Sequence, residues 1–281
     1  MRLGVTIFAT DQTMPISDLA REAEDRGFWS LYLPEHTHIP VARTTPAPLG
    51  EPLPEEYKRT LDPFVALAMA GAVTDKIHLG TGIALLAQRD PIITAKSIAT
   101  LHAGTEGRFT FGVGYGWNVD EMEDHGVNYA TRREIVAEKM ALMRSLWRDE
   151  IAEFDGDYVS LAPSWAWPKP LDGGPRVLLG GGAGPKLFGQ IASWADGWIP
   201  VGGSGLTHAV AEMRAAAERA GRDPDELDVV PFGSEPTGGK LDHFERNGVT
   251  ECVFRLPSAG RDEVLAVLDS YVPFLDRYPA E

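Results

Sequence analysis

Strand-like and helix-like stretches alternate eight times along these 281 residues, and the strand-like ones are too apolar to face water on either side. Such alternation implies a parallel sheet covered by helices. No strand–helix junction carries a proper nucleotide fingerprint, which disfavours the open doubly wound sheet as the alternative. These three observations predict a (β/α)8 barrel, one domain spanning residues 1–281, with a long loop after strand 2 and a short excursion before strand 5.

RLGVTIF (2–8) alternates as a strand, and ISDLAREAEDRG (16–27) carries helical periodicity up to Gly27. WSLYLP (29–34) is the second strand, followed by a proline-rich irregular connection, 35–61. A loop of that length in a compact domain is usually functional or mobile. DPFVALAMAGAVTD (62–75) opens with Asp62 as cap and Pro63 at the first helical position. IHLGTGI (77–83) is strand 3, and Pro91 opens the helix PIITAKSIATLHAG (91–104). RFTFGVG (108–114) is strand 4, and TRREIVAEKMALMRSLW (131–147) a long helix with Thr131 as its cap. EFDGDYVSL (153–161) reads as a two-strand excursion turning at Asp155-Gly156. RVLLGG (176–181), GWIPV (197–201), LDVVPF (227–232) and TECVFRL (250–256) supply strands 5 to 8, with helices over 185–195, 204–221, 240–248 and 261–278.

Composition narrows the function. A formal charge of −15 lacks the basic footprint of a nucleic-acid binder and does not suit an anionic membrane surface. One cysteine, Cys252, leaves no internal disulfide framework and suits a reducing cytoplasm. No run approaches the ~18 apolar residues of a membrane span. A soluble cytoplasmic protein acting on a small molecule is expected.

Barrel active sites lie at the carboxyl ends of the strands. At the end of strand 5, LLGGGAGPKLFG places Gly180, Gly181 and Gly182 before a helix starting at Pro185. Free amides at a helix N-terminus suit a phosphate, although a tight turn needs glycines too. Strand 2 ends in EHTH (35–38), offering Glu35, His36 and His38 for acid–base work. His36 and His38 also suggest a metal-dependent hydrolase, but no histidine sits at a later strand end to complete the ligands, and no metal is expected. Strand 4 runs into GVGYGWN (112–118), where a dinucleotide fingerprint fails because Trp117 stands at its last glycine position. Gly112, Gly114 and Gly116 either open a slot for a broad flat ring or permit close packing at the barrel top. Trp117 and Asn118 offer a wall and an amide, and Trp165 and Trp167 lie in loops from which they could complete an apolar substrate pocket with Trp117.

GTGIALLAQRDPIITAKSIATLHAGTEGRFTFGVGYGWNVDEMEDHG (80–126), RREIVAEKMALMRSLW (132–147), LPEHTHIP (33–40) and RVLLGGGAGPKLF…WADGWIP (176–200) together resemble the bacterial luciferase-like monooxygenase superfamily. The similarity is strongest to its coenzyme F-420-dependent (deazaflavin) oxidoreductases. The resemblance implies a (β/α)8 barrel binding F-420, or alternatively FMN, at the strand carboxyl ends, and a homodimer. It implies a non-proline cis peptide at Gly82-Ile83, behind the ring. Asn118, Glu121 and Arg132 match residues near the cofactor's ring or tail, Gly181 and Gly182 the phosphate loop, and His36 an acid–base or ring-neighbouring histidine. Two departures stand out. Trp117 replaces the catalytic glutamate of sugar-phosphate dehydrogenases, and Glu35 replaces their aspartate, so a hydrophobic or aromatic substrate is expected. Hydride transfer is the leading expectation, FMN-dependent monooxygenation its neighbour, and a non-catalytic carrier of the cofactor the alternative from another class.

Overall fold

β1 (Arg2–Thr6), α1 (Ile16–Asp25), β2 (Ser30–Leu33), α2 (Pro63–Gly71), β3 (His78–Thr81), a two-residue β4 (Ala84–Leu85), α3 (Pro91–Gly104), β5 (Phe109–Gly114), α4 (Val119–Asp124) and α5 (Arg132–Arg148) form the first half of the chain. An antiparallel hairpin, β6 (Ala152–Asp155) and β7 (Ser160–Ser164), stands apart from the main sheet. β8 (Arg176–Gly180), α6 (Pro185–Trp194), β9 (Gly197–Ile199), α7 (Leu206–Arg219), β10 (Asp228–Val229), β11 (Phe232–Ser234), α8 (Gly238–Arg246), β12 (Glu251–Arg255) and α9 (Arg261–Leu275) follow. This computed structural model describes residues 1–48 and 50–278; Leu49 and residues 279–281, which the expected domain also includes, lie outside the described residues.

The fold is α/β with a curled parallel sheet in the order β10-β9-β8-β5-β3-β2-β1-β12-β11, with β4 also paired to β5. The strand expected over 227–232 is present in two pieces, because Pro231 has no N–H to continue a ladder. β10 pairs with β9 and β11 with β12, so the two ends of the sheet order are consecutive in sequence. Phe232 also bridges Val201 in parallel, its N–H donating to Pro200 O at 2.8 Å.

Two apolar clusters follow from this layering. One lies between helices and sheet, with Leu19, Leu67, Ile98, Val136, Ile191 and Leu268 among its members. The other, Tyr32, Leu178, Ile199, Val230, Phe232 and Val253, with Ile83 against it, gathers side chains from strands all along the sheet order. Small residues make room for the second cluster. A Cβ on Gly82 would meet the Phe232 ring at 2.3 Å, and one on Gly180 would meet Ile83 Cδ1 at 2.2 Å.

Helix starts follow their local chemistry. The Asp62 carboxylate accepts from Phe64 N–H and Val65 N–H ahead of α2, and Asp90 accepts from Ile93 N–H ahead of α3, each with proline at the first helical position. Thr131 holds the cap position of α5 without capping through its side chain; its hydroxyl donates to Asn128 O instead. No described helix is long and apolar enough to cross a membrane.

Candidate active site

β2 delivers Pro34, Glu35 and His36 in direct succession from its buried end. The next residues would drift without anchors, and Thr60 provides them: its hydroxyl donates to His36 O at 2.7 Å and accepts from His36 N–H at 3.3 Å. The middle of the long connection is tied to α4. Asp120 accepts from the backbone amides and hydroxyls of Thr44 and Thr45, and these bonds hold its carboxyl down at about 2. The connection thus arches over the ends of β2 and β5.

His36 is 8% exposed, and both its ring nitrogens are engaged. Nδ1 lies 2.7 Å from Glu121 Oε2, and Nε2 accepts from the Trp117 indole N–H at 3.2 Å. Glu121 is fully buried. Burial pushes its carboxyl up, but the bonds from His36, Gln88 and the Thr37 amide outweigh that and hold it below its ordinary value. The carboxylate is therefore ionised and can only accept, so Nδ1 carries the proton. Tyr57 packs against His36 at 5.3 Å between rings, Phe8 against Tyr57 at 4.7 Å, and Arg43 lies 6.0 Å over Trp117. His36, Trp117, Tyr57 and Phe8 form one aromatic wall.

Glu35, expected beside His36 in acid–base work, turns the other way. It is 2% exposed, accepts from Leu85 N–H at 2.7 Å and from Arg89 Nε at 2.6 Å, and Arg89 continues to Asp62. Both oxygens are committed, so Glu35 braces β4 and the cap of α2. Glu121, expected at the cofactor, is likewise taken up by His36, Thr37 and Gln88. His36 and His38 also diverge, His38 reaching Asp124 at 2.9 Å, and no group of three or more metal-ligating side chains is assembled among the described residues.

Asn118 is 1% exposed, and neither its amide nitrogen nor its amide oxygen finds a partner among the described residues. A buried amide left this way is costly unless a ligand completes it. At the end of β8, the Trp198 indole N–H fixes Gly181 O at 3.0 Å, while Gly181 and Gly182 stay exposed ahead of α6. A Cβ on Gly182 would meet nothing within 4 Å. This is an open cradle at the N-terminus of a ten-residue helix.

The other expected residues fall elsewhere. A Cβ on Gly112 would strike Thr81 O at 2.0 Å, and one on Gly114 would meet Ile83 Cγ2 at 2.7 Å. Gly116 has φ +82°, a conformation that disfavours any side chain. Gly112 and Gly114 admit the protein's own bulge before they admit a ligand, and a Cβ on Gly116 would meet Met122 Cε at 2.7 Å. That bulge is visible in the register, which advances from Gly80 to Ala84 on one side while the partner advances from Thr110 to Val113. It forms without the expected cis bond: the cis peptides among the described residues are Glu51-Pro52 and Trp167-Pro168, so Gly82-Ile83 is trans. Gly82 N–H donates to Leu33 O at 2.7 Å, which ties the start of the bulge to β2. Arg132 stacks 3.4 Å over Tyr129 and donates to its carbonyl, leaving Nε buried and unpaired. Trp165 and Trp167 are 75% and 62% exposed, and Trp167 O accepts from Lys96 on α3; they do not join the wall around Trp117. Sequence reasoning missed Tyr57 and Arg43, whose places depend on how the long connection folds back.

This curled parallel sheet, with its polar residues gathered at the strand ends, defines an α/β enzyme of the luciferase-like kind. The profile of the luciferase-like monooxygenases matches residues 3–234, and the chain belongs to that family of oxidoreductases. It is 42% identical over 275 residues, 96% of both chains, to the uncharacterized protein Rv0953c of Mycobacterium tuberculosis. Its fold is similar to that of an F420-dependent secondary alcohol dehydrogenase solved with an F420-acetone adduct, at TM-score 0.78 and 19% identity over 97% of this chain and 98% of that one. It is similar too to the monooxygenase RslO1 of Streptomyces bottropensis, at TM-score 0.77 and 18% identity over the whole of both chains.

Proposed function

We propose that this protein moves a hydride between a deazaflavin, coenzyme F-420, and an organic, hydrophobic substrate. The observation that carries the proposal is Asn118: one acceptor and two donors, buried and unpaired, suit the alternating polar edge of a flavin-type heterocycle. The Gly181-Gly182 cradle ahead of α6 would hold the phosphate, helped by the helix dipole. When bound, the ring supplies hydride chemistry that no side chain can. His36, oriented by Glu121, would exchange a proton with the substrate at Nε2. Trp117, Tyr57 and Phe8 would bind an apolar substrate body and exclude water.

The remaining architecture fits that role. The two halves of the split strand, each paired to a different end of the sheet, support closure as a single-domain (β/α)8 barrel. Val65 and Met69 on α2, with Ile92 and Ile93 on α3, expose apolar side chains that suit a homodimer contact. A lone buried thiol at Cys252 suits the cytoplasm.

Separate titrations of the purified protein with F-420 and with FMN, followed by absorbance and fluorescence, test the proposal. F-420 should bind, and Gly182→Asp should weaken it by about tenfold or more through like charge at the phosphate, with the fold intact. Tight binding of FMN alone would move the assignment to flavin monooxygenation. Binding of neither would remove it.

A further inference from the structure

His36 presents an unusual state for a proposed base: its lone pair is already occupied by the protein. Glu121 requires a proton on Nδ1, and the Trp117 indole, which can only donate, requires a lone pair on Nε2. The two constraints agree on one neutral tautomer. The groups around the ring do not offer Nε2 another partner. Tyr57 meets it as a tilted ring at 40°, Glu35 is committed to Leu85 and Arg89, His38 and His125 lie across Thr37, and Arg43 sits beyond Trp117. Trp117 is only half-buried and sits just before α4, so its indole can swing aside at less cost than a core ring.

We propose that Trp117 is a positioning residue that latches His36, its indole N–H fixing the Nδ1-protonated tautomer and masking the Nε2 lone pair until a proton or a ligand's own hydrogen-bond donor displaces it. A carbonyl alone could not take the indole's place on a neutral ring, because two acceptors would face each other. An O–H or N–H group could. The inference rests on the proposed function only for what the unmasked lone pair does; the latch belongs to the ligand-free chain.

Two measurements on cofactor-free protein test it. Diethyl pyrocarbonate alkoxycarbonylates unprotonated, accessible imidazole nitrogen, and peptide mass spectrometry reads His36 against the exposed His208 and His243. Trp117→Phe keeps an aromatic wall and removes the N–H, so His36 should react faster by about fivefold or more, the worth of one lost hydrogen bond. A smaller change would mean that Trp117 only packs there, and overturns the latch. Should the variant fail to fold, ¹⁵N NMR of the wild-type chain decides. The latch requires the Nδ1-protonated tautomer, with the Trp117 indole N–H resonance shifting at the same pH as the His36 ring. The opposite tautomer, or an indole that ignores His36 protonation, overturns it. Neither measurement involves F-420, so a failed latch leaves the oxidoreductase assignment standing, and a failed titration with F-420 leaves the latch standing.

Discussion

Glu35 and Glu121 are two buried carboxylates beside one histidine, and their partners assign them opposite work. Glu121 faces inward to His36, whereas Glu35 faces Arg89 and the Leu85 amide. Removing one partner of a buried pair leaves the other charge uncompensated, which typically costs ~3–5 kcal/mol. Glu35→Ala should therefore lower stability by about 3 kcal/mol in chemical denaturation, because Arg89 and Leu85 N–H lose their acceptor together. If stability is unchanged within about 0.5 kcal/mol, Glu35 is free for chemistry after all. The sequence already marked both residues as site candidates, Glu35 because it follows a strand end and Glu121 through the family resemblance. It could not mark their roles, because His36 meets Glu121 from 85 positions away and Glu35 meets Arg89 from 54. Asn118 was legible as an amide at the end of strand 4; that nothing among the described residues satisfies it is visible only once the surroundings are assembled.

At the scale of elements, strand positions followed from apolar runs, since a strand buried on both faces has few other ways to read. α4 escaped notice because VDEMED is short and acidic, with Met122 its one fully buried apolar residue and no helical stripe to detect. It is nevertheless the element that brings Glu121 to His36. The glycines of β5 teach the same lesson. Alternating Gly112 and Gly114 suggested an open slot, yet Gly112 faces the Thr81 carbonyl and Gly114 faces Ile83, both parts of the bulge one strand over. A carbonyl in a ladder cannot step aside as a side-chain end can. Gly112→Ala should lower stability by roughly 1–3 kcal/mol or more. Gly182→Ala, with nothing within 4 Å of the added carbon, should leave stability unchanged. Thermal denaturation of the matched pair decides, and equal melting temperatures would return the β5 glycines to the ligand.

The whole molecule carries a pH dependence in its interior. Glu251 opens β12, is 4% exposed, and accepts from Ser30 Oγ, with Tyr32 OH at 3.5 Å. Burial raises its carboxyl from 4.5 to about 7, with the Ser30 bond and Arg2 working against burial and Asp228 with it. The unfolded chain releases this proton near 4.5, whereas the folded chain keeps it to about 7. Between those values the folded state binds more protons, so stability falls as pH rises. The contribution is complete below about 4.5 and gone above about 7. At ~1.4 kcal/mol per pH unit, the penalty approaches roughly 3 kcal/mol. Glu251→Gln keeps an oxygen for Ser30 and a donor for Tyr32 while removing the charge. Its melting temperature should match the wild type near pH 4.5 and exceed it by several degrees at pH 8. Asp120 and Glu121, both held low, lose their stabilisation only on acidification below their ordinary values, so they contribute little to the difference between these two pH values. A gap between variant and wild type that stays constant from pH 4.5 to 8 would mean that Glu251 is ionised in the folded protein throughout, with a counter-charge from Arg2 strong enough to overcome its burial.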